Sequence, residues 1–339
     1  MKLRNTFRPA RIATLLILLF SALLFAYPVS AADISDSRKL KIAVIPERGD
    51  LDFWHLLKKG AVKAATDDGN IKIYWLIPSG LGDFKEQKLE IDWCTEHKVD
   101  AIVISPVHSL RMKKSIKKAM HSGIPVIQMV SKVHGNAKTG YVHSDNFKGG
   151  KLAAEFLQKE MQDSGTIVLG MFIKGNSPVN SRVDGFKAQL KNSGSKLKIG
   201  KTIYVGEEHK RGSSKIRVAM YGNDNPNKKK KINAVVGFNE SSSEILLKTL
   251  EELNKLKGLK FIAFNPDPEM IQGIKDGKIS AGVAQDPYEI GRIAVNQAAM
   301  VARGLKIPDE TVADVYLITK ENVSDPKIQE VLGLKERNQ

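Results

Sequence analysis

The sequence predicts an α/β fold with doubly wound parallel sheets, arranged as two αβ lobes. Three observations lead there. Short apolar runs alternate with helix-period segments from one end to the other. The runs are apolar at nearly every position, which marks strands buried on both faces and therefore parallel sheets covered by helices. The strands are also more numerous than one small sheet needs, in a chain of 339 residues that has room for two domains of about 100–200 residues.

Residues 40–45 (LKIAVI) form the first strand, closed by Pro46. The tripeptide Arg48-Gly49-Asp50 reads as the turn leaving it. Phe53, Leu57, Gly60, Ala61 and Ala64 then follow at helical spacing, with Asp52 placed to cap the helix. The pattern continues with a strand at 71–77 and a helix at 83–97, opened by Asp83 and Glu86 at capping-box spacing. A strand at 101–105, a helix at 109–122 and a strand at 125–130 complete the first half. In the second half helices are expected at 146–162, 179–191, 214–221, 241–254, 269–275 and 287–303. Strands are expected at 166–172, 201–205, 234–238, 261–264 and 280–284, with Ser241 and Glu244 as a second capping box.

The N-terminus has the layout of a secretory signal peptide. Lys2, Arg4, Arg8 and Arg11 precede an apolar run from 12 to 26, and Val29 and Ala31 supply the small residues of a cleavage site after Ala31. The run is shorter than the ~20 residues a spanning helix needs. Four of the sixteen net positive charges lie in this segment. The rest are spread over helix faces, apart from the run 228–231, without the aromatic interleaving or motifs of nucleic-acid binding, and no nucleic-acid partner is expected. Cys94 is the single cysteine, so no intramolecular disulfide can form; it reads as a small buried hydrophobe.

Enzyme and cofactor signatures are missing. The chain has no G-x-S-x-G, H-E-x-x-H, C-x-x-C or Walker-type loop, and no G-x-G-x-x-G follows the first strand. FKGGK at 147–151 lacks the Ser or Thr of a phosphate loop, and its glycines suit close helix packing. The histidines have no ligand spacing. Neither metal, cofactor nor catalysis is expected. What remains is a series of polar and aromatic residues at the carboxyl ends of strands, the edge at which open α/β sheets bind ligands. They are Asp52-Phe53-Trp54, Ser131-Lys132, Asp145-Asn146, Arg182, Asn239, Asn265 and Gln285-Asp286.

The stretches VHSDNFKGGKLAAEFL, INAVVGFNESSSEILLKTLEE and FIAFNPDPEMIQGIKDGKISAGVAQDPYEIGRIAVNQAAMVARG carry a resemblance. The chain resembles the periplasmic sugar-binding proteins of the ribose-binding type, in the type I periplasmic solute-binding family. The resemblance spans nearly everything after the signal segment. It implies two lobes, residues 39–144 plus 286–314 and 145–285 plus 315–334, joined by a three-crossing hinge near Asp145, Asp286 and Asp314. Ligand would bind between the lobes and hold them closed. It further implies a monomeric, periplasmic receptor that delivers a sugar or sugar-like molecule to the permease of an ABC importer. The alternative is a sensor that signals to a membrane kinase or chemoreceptor.

By position, Phe53 and Trp54 match the family's sugar-stacking aromatics, and Arg182 matches its arginine that donates paired hydrogen bonds. Asn239 and Gln285 match amides that both donate and accept, although Asn239 can equally cap the following helix. Ser131, Lys132 and Asn265 stand in the remaining strand-end ligand positions. There the sequence departs from the family. Val130-Ser131 replaces a common Asp-Arg, and Phe264-Asn265 replaces Phe-Asp. The expectation from these changes is an acid-poor, more positive cleft suited to a less hydroxyl-rich or anionic ligand.

Overall fold

The computed structural model describes residues 38–78, 83–135, 138–206, 208–221, 231–335 and 337. The expected signal segment 1–31 and most of the basic run 228–231 lie outside the described residues. All elements fall in one compact unit, Leu40–Gln339. Strands β1 (Leu40–Ile45), β2 (Ile71–Trp75), β3 (Ala101–Ile104), β4 (Val126–Met129) and β5 (Gly140–Ser144) come first. Helices α1 (Asp52–Asp68), α2 (Phe84–Glu96) and α3 (Lys113–His121) alternate with the first four. A second series runs α4 (Asn146–Glu160), β6 (Thr166–Met171), α5 (Ser177–Asn192), β7 (Lys198–Tyr204) and α6 (His209–Tyr221). It continues through β8 (Ala234–Gly237), α7 (Glu240–Glu252), β9 (Lys260–Phe264), α8 (Pro268–Lys275) and β10 (Ala281–Gln285). The chain closes with α9 (Pro287–Ala302), β11 (Glu310–Ala313), β12 (Val315–Ile318) and α10 (Pro326–Val331).

Two six-stranded sheets result, ordered β11-β5-β4-β3-β1-β2 and β12-β10-β9-β8-β6-β7. Every pairing is parallel except β10 with β12, which is antiparallel. Both faces of each sheet are covered, as the continuous apolar runs require. In β1, Ile42 and Val44 pack with α1 and α9, whereas Ala43 and Ile45 pack with α2 and α3. In β6, Ile167, Leu169 and Met171 face α4 and α5, and Val168 faces the opposite core with α6 and α7. Cys94 is fully buried in the first sheet's α2–α3 core, and burial pushes its thiol up to about 12.

The chain passes between the sheets three times, after Ser144, after Gln285 and after Ala313. Helix α4 thus follows a strand of the first sheet but packs on the second, and α9 does the reverse. Two helix pairs, α1–α9 and α4–α5, meet backbone to backbone through glycines. A Cβ on Gly60 would lie 1.8 Å from the Tyr288 carbonyl oxygen, and one on Gly291 would lie 2.1 Å from that of Leu57. Gly150 and Gly185 repeat the arrangement against the carbonyls of Arg182 and Phe147, at 1.8 and 2.0 Å. Of the two glycines of FKGGK, Gly150 therefore serves helix packing, whereas Gly149 faces Phe264 and Val283 of the sheet. Gly150→Ala is expected to lower stability by about 1–3 kcal/mol, the cost of overpacking, read as a lower urea midpoint.

Local differences from the sequence reading have plain causes. Leu51, not Asp52, occupies the cap position of α1, and Asp52 sits in the first turn, where its charge favours the helix dipole. Helix α3 begins at Lys113 rather than 109. Helix α7 is capped by Asn239 and Ser242 in a reciprocal box, in place of Ser241 and Glu244. Strands β11 and β12, at the outer edges of the two sheets, and the six-residue helix α10 lie outside the elements the sequence pattern marks.

Candidate functional site

The carboxyl ends of both sheets face a common cleft, and two of the cavities along it hold residues chosen from sequence. The first, about 370 Å3, is lined by Phe53, Asn265 and Gln285 together with Asp52, Glu240 and Asp267. His55, Lys59 and the end of α10 with the segment after it (Val331 to Leu334) also line it. The second, about 630 Å3, holds Ser131 and Lys132 with Glu47, His108, Asn176 and Asp184. Both volumes fall within the roughly 300–1,000 Å3 of small-molecule sites.

Gln285, at the end of β10 and 4% exposed, is the hub of a polar network. Its Oε1 accepts hydrogen bonds from Arg182 Nη2 and from Asn265 Nδ2, the latter at 3.1 Å. Its Nε2 donates to Ser144 Oγ at 2.9 Å. Arg182 projects from α5, 3% exposed, and also donates from Nε to Asn146 Oδ1 (2.8 Å) and from Nη1 to the Phe238 carbonyl (2.7 Å). Asn146 Nδ2 in turn donates to the Ser144 carbonyl at 3.1 Å. The network joins two of the three passages between the sheets. Asn265 adopts φ 50°, a left-handed conformation that asparagine tolerates better than most residues. This conformation sets its amide beside Gln285, with Oδ1 accepting from the Gln285 backbone N–H at 3.4 Å.

Arg182 forms no ion pair among the described residues; its three bonded acceptors are neutral, and its guanidinium lies 5.3 Å from the Phe264 ring centre. Burial alone pulls its pKa down to about 9. The arginine stands behind Gln285 and lines neither cavity.

The other residues chosen from sequence scatter. Trp54 is 4% exposed and packs in the α1–α9 core, edge-on to Phe53 at 5.1 Å between ring centres, lining neither cavity. Asn239 caps α7, accepting from Ser242 N–H at 3.2 Å. Removing that cap with Asn239→Ala should cost about 1 kcal/mol of stability, measurable by chemical unfolding. Asp145 and Asp286 cap α4 and α9. Asp286 also accepts from Arg337, whose guanidinium lies over the Tyr288 ring. Asp314 lies 3.7 Å from Lys148 Nζ. Lys132 is exposed, 3.7 Å from Glu310 and above the Tyr141 ring.

The expectation of an acid-poor cleft is overturned. Asp52, Glu240 and Asp267 ring the first cavity, and Glu47 lines the second, accepting from Ser105 Oγ at 2.8 Å. These acids come from positions other than the two at which carboxylates are missing. Burial raises Glu47 above the usual carboxylate range. Glu240 is pushed up to about 8, first by burial and then by the charges of Asp52 and Asp267. Glu240 follows Asn239 directly, and in sequence such an acid reads as an ordinary first-turn residue.

This pairing of sheets matches a known family. Residues 42–306 fit the model described as periplasmic binding protein domain. The chain belongs to this family. Periplasmic binding proteins are receptors and not enzymes, which agrees with the missing catalytic motifs. Among relatives, the ribose import binding protein of Bacillus subtilis (strain 168) is 27% identical over 270 residues, covering 79% of this chain and 84% of that protein. The ribose import binding protein of Escherichia coli (strain K12) is 24% identical over 303 residues, covering 89% and 97%. A carbohydrate transporter solute-binding protein from Agrobacterium radiobacter, solved with D-arabinose, superposes with a TM-score of 0.79 at 26% identity. That match covers 87% of this chain and 99% of the other. The agreement extends to the two-sheet architecture as a whole.

Proposed function

We propose that this periplasmic binding protein captures a sugar or sugar-like solute between its two sheets and delivers it to the permease of an ABC importer. The observation that carries the reading is the amide pair Gln285–Asn265 beside Phe53 in a cavity sized for a small molecule, with Arg182 bonded to Gln285 from behind. Amides that donate and accept together suit hydroxyl groups, and the Phe53 ring offers an apolar face to sugar C–H groups. Gln285 and Asn265 would touch the ligand directly while Arg182 fixes the orientation of Gln285. Ser131 and Lys132 would reach it from the neighbouring cavity. The names of the ribose import relatives favour import over signalling.

In this reading the protein is exported by cleavage after Ala31 and acts as a monomer. Residues 39–144 plus 286–314 move against 145–285 plus 315–334 about the passages at Asp145, Asp286 and Asp314. The test is native mass spectrometry of protein purified without denaturation, followed by identification of the released molecule and calorimetric titration with it. One bound oxygenated small molecule is the expected result; a chain that neither retains nor binds any such solute would overturn the reading.

A further inference from the structure

Glu240 opens α7 and is 7% exposed, and it lines the first cavity. Among the described residues its carboxylate makes no side-chain hydrogen bond and no ion pair, so a buried acid faces the cavity without a partner. Its charged surroundings are unfavourable. Asp52 faces it from α1, Asp267 from the start of α8 and Glu244 from its own helix, while Arg48 on the β1–α1 loop opposes them. Arg48, however, bonds through two guanidinium nitrogens to Asp50, which takes up much of its charge. Asp267 already accepts from Met270 N–H at 2.7 Å, and among the described residues Asp52 has His55 alone, 3.8 Å away and exposed. Lys59, also exposed, completes the lining. A buried carboxylate is ordinarily retained only where it is paired, and no described residue pairs this one.

We propose that the ligand of this cavity carries a basic nitrogen on a polyhydroxylated frame, as an amino sugar or amino polyol does. Its ammonium group sits at Glu240 near Asp52 and Asp267, and its hydroxyls meet Asn265 and Gln285. The inference rests on the solute-capture reading and narrows it to one substrate class. Binding of the cation would favour the ionised form of Glu240, so affinity for an aminated ligand should rise with pH as that carboxyl ionises, up to the point at which the ligand's own amine deprotonates.

The test is isothermal titration of the full chain with matched pairs: glucosamine against glucose, galactosamine against galactose, and 1-amino-1-deoxysorbitol against sorbitol. At least one aminated member is expected to bind tenfold or more tighter than its neutral parent. Glu240→Gln should bring that ratio down to about one and remove the rise of affinity between pH 6 and 8. Glu240→Asp, which keeps the charge, should keep part of the preference. If neutral sugars bind as well as or better than every aminated partner, the inference falls and solute capture stands. If no member of any pair binds, the amino-ligand inference falls, while the sugar-like reading is decided separately by the molecule that native mass spectrometry releases.

Discussion

Arg182→Ala is expected to weaken ligand binding by roughly 1–3 kcal/mol, the range for a lost buried hydrogen-bond partner, by releasing Gln285 rather than by removing a ligand contact. The guanidinium donates to three neutral acceptors, Asn146 Oδ1, the Phe238 carbonyl and Gln285 Oε1, and no carboxylate offsets its charge among the described residues. Burying it therefore costs the fold stability, as the lowered pKa records. That cost makes sense where the planar fork holds Gln285 in one rotamer facing the cavity. Alanine would take the donor from Asn146 Oδ1 and the Phe238 carbonyl, each at about 1–3 kcal/mol, and leave Gln285 Oε1 with Asn265 Nδ2 alone, freeing Gln285 to turn away from solute. Arg182→Lys should fall between the two, because one ammonium cannot span three divergent acceptors. Calorimetric titration beside thermal unfolding separates the two losses. Unchanged affinity in Arg182→Ala would remove this network from the binding site.

Glu240→Gln is expected to stabilise the ligand-free protein at alkaline pH and to change it little in acid. The folded-state pKa is raised from 4.5 to about 8. Between those values the folded state holds a proton that the unfolded chain has lost, so stability falls as pH rises through the interval. The favourable contribution is complete below about 4.5 and gone above about 8, where the ionised group costs at most about 5 kcal/mol. Glutamine resembles the protonated acid in shape and does not ionise. Its advantage should therefore grow from near zero at pH 4.5 to a plateau above pH 8. Urea unfolding of both proteins at pH 5, 7 and 9 measures the trend, and a difference independent of pH would contradict the assignment.

The fold was legible because its strands announce themselves. LKIAVI, AIVI and AVVG have few or no polar positions, and only a sheet covered on both faces buries such strands completely. The edge elements were harder. Val312 on β11 is exposed, and β12 is antiparallel, so neither follows the interior pattern. The site was legible only in part, because helix capping and ligand contact draw on the same residue types at the same place. Asp145, Asn239 and Asp286 all follow strands and all spend a side-chain oxygen on a helix amide. Nor does the pair Phe53-Trp54 reveal that one ring lines the cavity while its neighbour is core. Glu240 stayed hidden for a different reason: its significance comes from Asp52 and Asp267, which are distant in sequence and arrive on other helices.

The glycine contacts bear on mechanics. Side chains between packed helices act as compliant spacers, since rotamers can yield and let one helix slide on the other. At Gly60, Gly291, Gly150 and Gly185 the spacers are absent and peptide rests against peptide, so shear there meets a hard wall. One such seam lies on each sheet, and each includes the helix that begins where the chain has just crossed. Stiffness is thus concentrated beside the crossings, and any rotation of one half against the other is confined to the few peptide torsions between strand end and helix start. In the proposed lobe motion such a joint would behave less like a soft linker than like a pivot with rigid arms, turning small torsional changes near Ser144 and Gln285 into displacement at the far rims.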